Sequence, residues 1–166
     1  MKQVYLTIVV FFVSIFFQAF QFDNQTTSLA AIRLKNGLEL ALHDATMAVI
    51  EEEYANGYVV FDQPESEKLF RRTLAANLQL DEKLVPLDGT LFITSMKYEL
   101  YYADDRITGG VYPYHYVDAF NNIDEWVYGP SIIGRITTAN PLRRAILPET
   151  NLVRTAVYEY LVTPID

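Results

Sequence analysis

The stretch VYLTIVVFFVSIFFQAFQF (residues 4–22) runs directly into DNQTTSLAAIRLKNG (residues 23–37), and how the first is read decides the architecture of the rest. No charged residue occurs from residue 3 to residue 22. A helix of that length, at about 1.5 Å per residue, is about 30 Å long and matches the hydrocarbon thickness of a bilayer. The apolar region of a secretory signal is shorter, about 7–15 residues, and ends in a small-x-small cleavage site. The one candidate site here ends at Ala19 and puts bulky Phe17 at the position that must be small. Many of the residues are β-branched or aromatic and favour a helix weakly in water. In lipid they form one anyway, because each backbone polar group must find its partner inside the segment. Residues 1–22 are therefore expected to be an uncleaved transmembrane anchor. A cleaved signal sequence is the alternative.

Lys2 alone carries side-chain charge ahead of the span, and Asp23, Arg33 and Lys35 follow it, so the positive-inside rule gives little guidance. A short tail ahead of a large segment places the amino terminus inside and residues 23–166 outside, as one extracytoplasmic domain. After residue 22 come all 21 acids and 12 of the 13 bases, a balance of −9. That sign disfavours nucleic acid as a partner. The lipid bilayer is the partner that the anchor implies. The chain has no cysteine, which fits a bacterial surface protein that folds without disulfides.

Downstream of the anchor, Leu34, Leu38, Ala41, Ala45 and Ala48 recur at spacings of four and three and form one stripe of a long amphipathic helix. Leu38, Ala41 and Ala45 are expected to face a sheet. Thr26, Thr27 or Ser28 would cap this helix if the chain breaks after the membrane. Asn56-Gly57 supplies its left-handed stop, Gly37 allows a kink, and Glu51, Glu52 and Glu53 would then oppose the dipole at its end. Tyr58 to Phe61 is a short strand or an extended link. A second helix follows, with Asp62 as cap, Pro64 in the first turn and Glu65 at the capping-box position. Its apolar face is Leu69, Phe70, Thr73, Leu74 and Leu78.

The remainder reads as antiparallel β-structure. Phe92, Thr94, Met96, Tyr98, Leu100 and Tyr102 alternate with Ile93, Ser95, Lys97, Glu99 and Tyr101 over one long strand. Further strands are expected in VYPYHYVDAF (residues 111–120), where Pro113 confines the strand to an edge or bulge, in SIIGRITTA (residues 131–139) and in NLVRTAVYEYLV (residues 151–162). The intervening NPLRRAILPET (residues 140–150) has room for one or two helical turns. The fold class is α+β: an anchor, a long helix, a second helix and an antiparallel sheet.

Three stretches carry a resemblance: the apolar helix running into LKNGLELALHDATMAVI (residues 34–50), ANGYVVFDQPESEKLFRRTLAANLQLD (residues 55–81) and GRITTANPLRRAILPETNLVRTAVYEYL (residues 134–161). Together they resemble pilins and pseudopilins, and more narrowly the TadE-like proteins of Tad/Flp-type pilus systems. The resemblance implies a non-enzymatic, single-pass component of a pilus or secretion assembly, at the cell membrane or within a pilus. Its partners would be other pilin-like or secretion-platform subunits, in a homo- or hetero-oligomer. The chain departs from that family in two respects: no basic leader precedes a Gly or Ala cleavage point, and no glutamate lies within the apolar helix. In this reading Phe11, Phe12, Phe16 and Phe17 set the helix packing, and Ser14 and Ala19 allow close approach. The alternative is a membrane-tethered binding module with an aromatic sheet face, whose first residues would be Tyr112, Tyr114 and Trp126.

No catalytic, cofactor or metal residue is expected. His43 and His115 are far apart, and no cysteine accompanies them, so a zinc site has no basis. His43 is read as a helix-surface residue, and His115, between Tyr114 and Tyr116 on a strand, as facing away from both. Asp118, Asn121, Asn122, Asp124 and Glu125 read as an acidic capping turn, with calcium as the alternative. Asp104 and Asp105 beside Gly109-Gly110 read as hairpin chemistry. Two of the carboxylates could in principle form a glycosidase pair, but no spacing selects them. Asn24-Gln25-Thr26 has the form of a glycosylation acceptor and is read as incidental beside a membrane.

Overall fold

The computed structural model describes residues 2–141 and 150–161. The chain is α+β. Helix α1 spans Lys2–Thr46 without interruption, about 67 Å at 1.5 Å per residue. There follow α2 (Glu51–Ala55), α3 (Gln63–Leu78), β1 (Lys97–Ala103), the single turn α4 (Asp105–Thr108), β2 (Tyr114–Asp118), β3 (Ile123–Val127), β4 (Ser131–Ala139) and β5 (Asn151–Glu159).

The membrane segment continues directly into the long helix, with no break at which a cap would be needed. Thr26 donates to the Phe22 carbonyl and Thr27 to Asn140 Oδ1, so neither hydroxyl is spent on a cap. The long helix also ends ten residues earlier than expected. Residues 47–50 are drawn out of it by the chain that follows: Val49 bridges Phe61, Ile50 N–H donates to the Val60 carbonyl, and Asp62 N–H donates to the Ala48 carbonyl. Glu51, Glu52 and Glu53 therefore open α2 rather than close α1, and their charge favours the helix dipole instead of opposing it. Gly57 takes the left-handed conformation (φ 87°) after α2.

Helix α3 begins as expected. The Asp62 carboxylate accepts from Glu65 N–H, and Pro64 sits in the first turn. The reciprocal half of the capping box is not made, because the Glu65 carboxylate binds the Lys68 ammonium. Phe70, Leu74 and Leu78 are buried against α1.

Strands β1, β4 and β5 form an antiparallel sheet with β4 in the centre, and β2 and β3 form a separate antiparallel pair. The single sheet expected from sequence is thus two, and β1 pairs with β4 rather than with β2. The long alternating strand is shortened to Lys97–Ala103, although Phe92 and Met96 upstream of it are buried. The molecule has three layers. On one side of the central sheet, α1 and α3 pack on Tyr98, Leu100, Ile132, Ile136 and Leu152. On the other, the β2–β3 hairpin packs Tyr112, Tyr114, Tyr116, Ile123 and Val127 on Tyr101, Ala103, Ile133 and Val157. Covering on both faces explains why Ser131, Ile132, Ile133 and Gly134 are all buried in one run, as for any strand inside a sandwich.

Leu34, Leu38, Ala41 and Ala45 are fully buried, as their spacing indicates. They lie between two neighbours. Leu38 and Leu42 press on Gly134 of β4, while the Ala45 carbonyl accepts from Ser66 of α3. The turns expected over residues 140–150 lie largely outside the described residues.

Candidate functional site

Two surfaces remain once the core is assigned. The first is the leading half of α1. It is long and apolar enough to cross a membrane, and none of its apolar window is buried within the domain. Phe11, Phe12, Phe16 and Phe17 are between 61 and 65 % exposed, and Ser14 and Ala19 are exposed too. At about 100° per residue the six expected assembly residues do not share one face. Phe12, Phe16 and Ala19 lie on one side, Phe11 and Ser14 on another, and Phe17 between them. The Phe11 and Phe12 rings meet edge to face at 6.1 Å. Gln18 and Gln21 are not among the expected residues. The signal that finds them is their helical phase with Ser14.

The second surface is the outer face of the β2–β3 hairpin. Alternation sends Tyr114 and Tyr116 inward and His115 and Val117 outward, which is the placement of His115 read from sequence. Across the ladder His115 pairs with Trp126. Their rings stack at 4.3 Å with planes 4° apart, and His115 Nε2 lies 2.6 Å from Asp124 Oδ1. Trp126 is about half exposed, and Phe120 at the turn and Tyr128 past the end of β3 are more so. Of the three residues expected to bind a partner, only Trp126 presents its ring on this face. Tyr112 and Tyr114 pack beneath the hairpin. The Tyr112 hydroxyl donates to the Ala103 carbonyl, and burial pushes its phenol up to about 12.

The acidic segment 118–125 is divided between a turn and a strand. Asp118 accepts from the N–H groups of Phe120 and Asn121 and from the Asn121 amide, and the Asn121 bonds hold its carboxyl below the usual range. Asp124 and Glu125 belong to β3 and point to opposite faces of it. Among the described residues no three His, Cys, Asp or Glu side chains are grouped to hold a metal ion.

Asp104 and Asp105 do not form a simple hairpin. Asp104 is 2 % exposed and accepts from Ile107 N–H and Phe61 N–H. Asp105 accepts from Val59 N–H at 2.7 Å and returns its own N–H to the Val59 carbonyl. Together they fasten the link before α3 to the end of β1. His43 lies on α1 as expected and is half-buried, with its ring edge-on to Tyr158 and Nδ1 3.1 Å from Asp44 Oδ1. Asp44 is held below the usual carboxylate range, chiefly by the hydrogen bond it accepts from Thr73 on α3.

An open groove of about 850 Å³ runs between α3 and β1, lined by Glu67, Arg71, Lys83, Tyr98 and Glu99 among others. Tyr98 donates to Glu67 Oε1, and burial, followed by that carboxylate, pushes its phenol up to about 12. The phenol therefore works as a fixed donor near neutral pH rather than as a base.

Neither a protein-family model, a curated protein nor a solved structure matches the chain.

Proposed function

We propose that this chain is a non-enzymatic, single-pass membrane component of a pilus or secretion assembly, of the pilin-like kind that its sequence resembles. The continuity of α1 supports this reading. One helix of 45 residues is apolar and outside the domain over its first half, and over its second it packs one face, Leu34, Leu38, Ala41 and Ala45, into the domain core. A rigid column of this kind fixes the position and the rotation of the outer domain relative to the helix in the membrane. A flexible linker would give a tether neither property. Packing in lipid depends on shape and on polar pairing, because lipid tails are as apolar as leucine. The acidic outer domain would face away from the membrane, with the β2–β3 hairpin as its layer farthest from α1.

The test is to replace residues 4–22 by an unrelated spanning helix of equal length, then to measure surface display and cross-linking to other subunits. Assembly through the helix requires normal insertion with loss of the cross-links. Full retention of cross-links with the foreign helix refutes it. The exposed Trp126 ring favours a second reading, a tethered binding module that uses the hairpin face, and this predicts that display and binding both survive the exchange.

A further inference from the structure

Five uncharged hydrogen-bonding residues of the span, Gln3, Thr7, Ser14, Gln18 and Gln21, follow one another at intervals of four, seven, four and three. On a continuous helix they fall within about 60° of arc. The series continues above the membrane with Gln25 and Ser28. Thr7, Ser14, Gln21 and Ser28 are seven residues apart, and Gln18 and Gln25 are offset from them by four. This is the spacing of the two seam positions of a left-handed helix pair. Tyr5 is the one hydroxyl of the span that lies off the stripe.

Not every member needs a partner. Gln3 and Gln21 lie near the two ends of the span, where water is close, and Thr7 donates to the Gln3 carbonyl of its own helix. Ser14 and Gln18 are deeper and exposed. A primary amide facing hydrocarbon is costly unless it is hydrogen-bonded. Building it into an otherwise apolar segment, in phase with Ser14, makes sense if another polar helix face meets it.

The position of the domain says which partner fits. Leu34, Leu38, Ala41 and Ala45 mark the face of α1 that carries the domain, and this face is about 160° around the helix from the polar stripe. Thr27, which bonds to Asn140 of the domain, lies on the domain side as well. The stripe therefore faces away from the chain's own folded mass, and two such helices can meet back to back with their domains pointing apart. Insertion gives every copy the same orientation, so helices of two copies are parallel. An amide carries both donor and acceptor, so Gln18 is self-complementary across a two-fold axis.

From this we infer that α1 pairs with α1 of a second copy through a polar seam of Thr7, Ser14, Gln18, Gln21, Gln25 and Ser28. The inference rests on residues 4–22 spanning the membrane and names the partner and the face within that reading. Of the expected packing residues it keeps Phe11 and Ser14 at the seam and leaves Phe12 and Ala19 on the other side of the helix.

The chain has no cysteine, so disulfide scanning needs no background substitutions. Single cysteines are placed at residues 11–25 of the full chain, which is reconstituted alone in phosphatidylcholine vesicles and oxidised. The seam predicts homodimer yields that peak at 14, 18, 21 and 25 and are minimal at 16, 20 and 23. In the Ser14→Cys background, Gln18→Leu should weaken dimerisation about three- to tenfold, while Gln18→Asn keeps most of it. Yields without that period, maxima on the Phe12–Phe16 face, or cross-links that form only in cells and to a protein of different mass all overturn the second-copy seam. Extraction of the vesicles with alkaline carbonate separates the two levels. A chain that stays in the membrane but shows no periodic yield refutes the seam alone, and a chain that washes out refutes the span together with it.

Discussion

Gly37 of α1 and Leu78 of α3 approach so closely that a Cβ on the glycine would lie 2.7 Å from Leu78 Cδ2 and 2.9 Å from its Cγ. The glycine is therefore a point of close contact between α1 and the last residue of α3. In an isolated helix Gly→Ala stabilises by about 1 kcal/mol. Here the added methyl overpacks this contact, which typically costs about 1–3 kcal/mol. Gly37→Ala should thus lower the stability of the full chain in detergent by about 1 kcal/mol net. In the Leu78→Ala background the same change should stabilise, because the methyl then enters vacated space. Urea midpoints of the four proteins give the cycle, and a Gly37→Ala effect of the same sign in both backgrounds rules out the Leu78 contact as its cause.

Asp104 is the buried acid that joins three segments. Removing its carboxylate leaves the buried Phe61 N–H, which donates to it at 3.2 Å, without an acceptor, and weakens the start of α4. An unsatisfied buried donor costs about 1–3 kcal/mol. Asp104→Ala should therefore destabilise by about 2–3 kcal/mol, and Asp104→Asn, which keeps one carbonyl oxygen, by about half as much. Equal losses for the two variants would show that packing, not hydrogen bonding, is what Asp104 supplies.

These two residues mark the limits of what the sequence shows. The stripe Leu34–Leu38–Ala41–Ala45 and the Asp62 cap are legible because their causes are local: a period of 3.6 and an aspartate three residues ahead of a free N–H. Gly37 is visible as a glycine, but its reason is Leu78, 41 positions away. The end of α1 at Thr46 is not legible at all, since residues 45–50 contain no Gly or Pro. The helix stops because Val60 and Phe61 offer Val49 and Ile50 a β-type pairing instead. Strand β3 was hidden by its acids: its inward face carries Glu125 between Ile123 and Val127, and only the last two, four apart, are buried. The polar seam was legible in principle, because phase on a helix needs only residue numbers. Its separation from the domain face was not, because that depends on α1 being unbroken at residues 23–28.

Tyr98, Tyr112 and Tyr116 each have their phenols pushed up to about 12, in every case mainly by burial. An unfolded tyrosine titrates near 10. A pKa raised in the folded state contributes stability that is fully present below about pH 10 and is lost as pH rises through about 12. Phenolate absorbance of the native protein should therefore show a group of the 12 tyrosines titrating well after the rest, with unfolding in the same alkaline window. In denaturant the late group should collapse to about 10. Titration of all tyrosines together near 10 in the native protein would mean that neither α3 covers Tyr98 nor the hairpin covers Tyr112 and Tyr116.

Helix α1 is continuous from the membrane segment into the domain. One alanine inserted between Asn24 and Gln25 turns the membrane segment by about 100° relative to the domain and lengthens the helix by about 1.5 Å. The Thr27–Asn140 contact and the whole core lie beyond the insertion, so folding and insertion should be unchanged. Seven inserted residues complete about two turns and restore the phase to within about 20°, at the cost of raising the domain by about 10 Å. If rotation of the domain about the membrane helix matters, the single insertion should abolish cross-linking of the outer domain to its neighbours. The seven-residue insertion should then recover part of it, despite the larger change in height. A tether is indifferent to phase and predicts equal cross-linking for both. Loss that grows steadily with the number of inserted residues, with no recovery at seven, would show that height rather than rotation is read by the partner, and the rigid-column argument would fail.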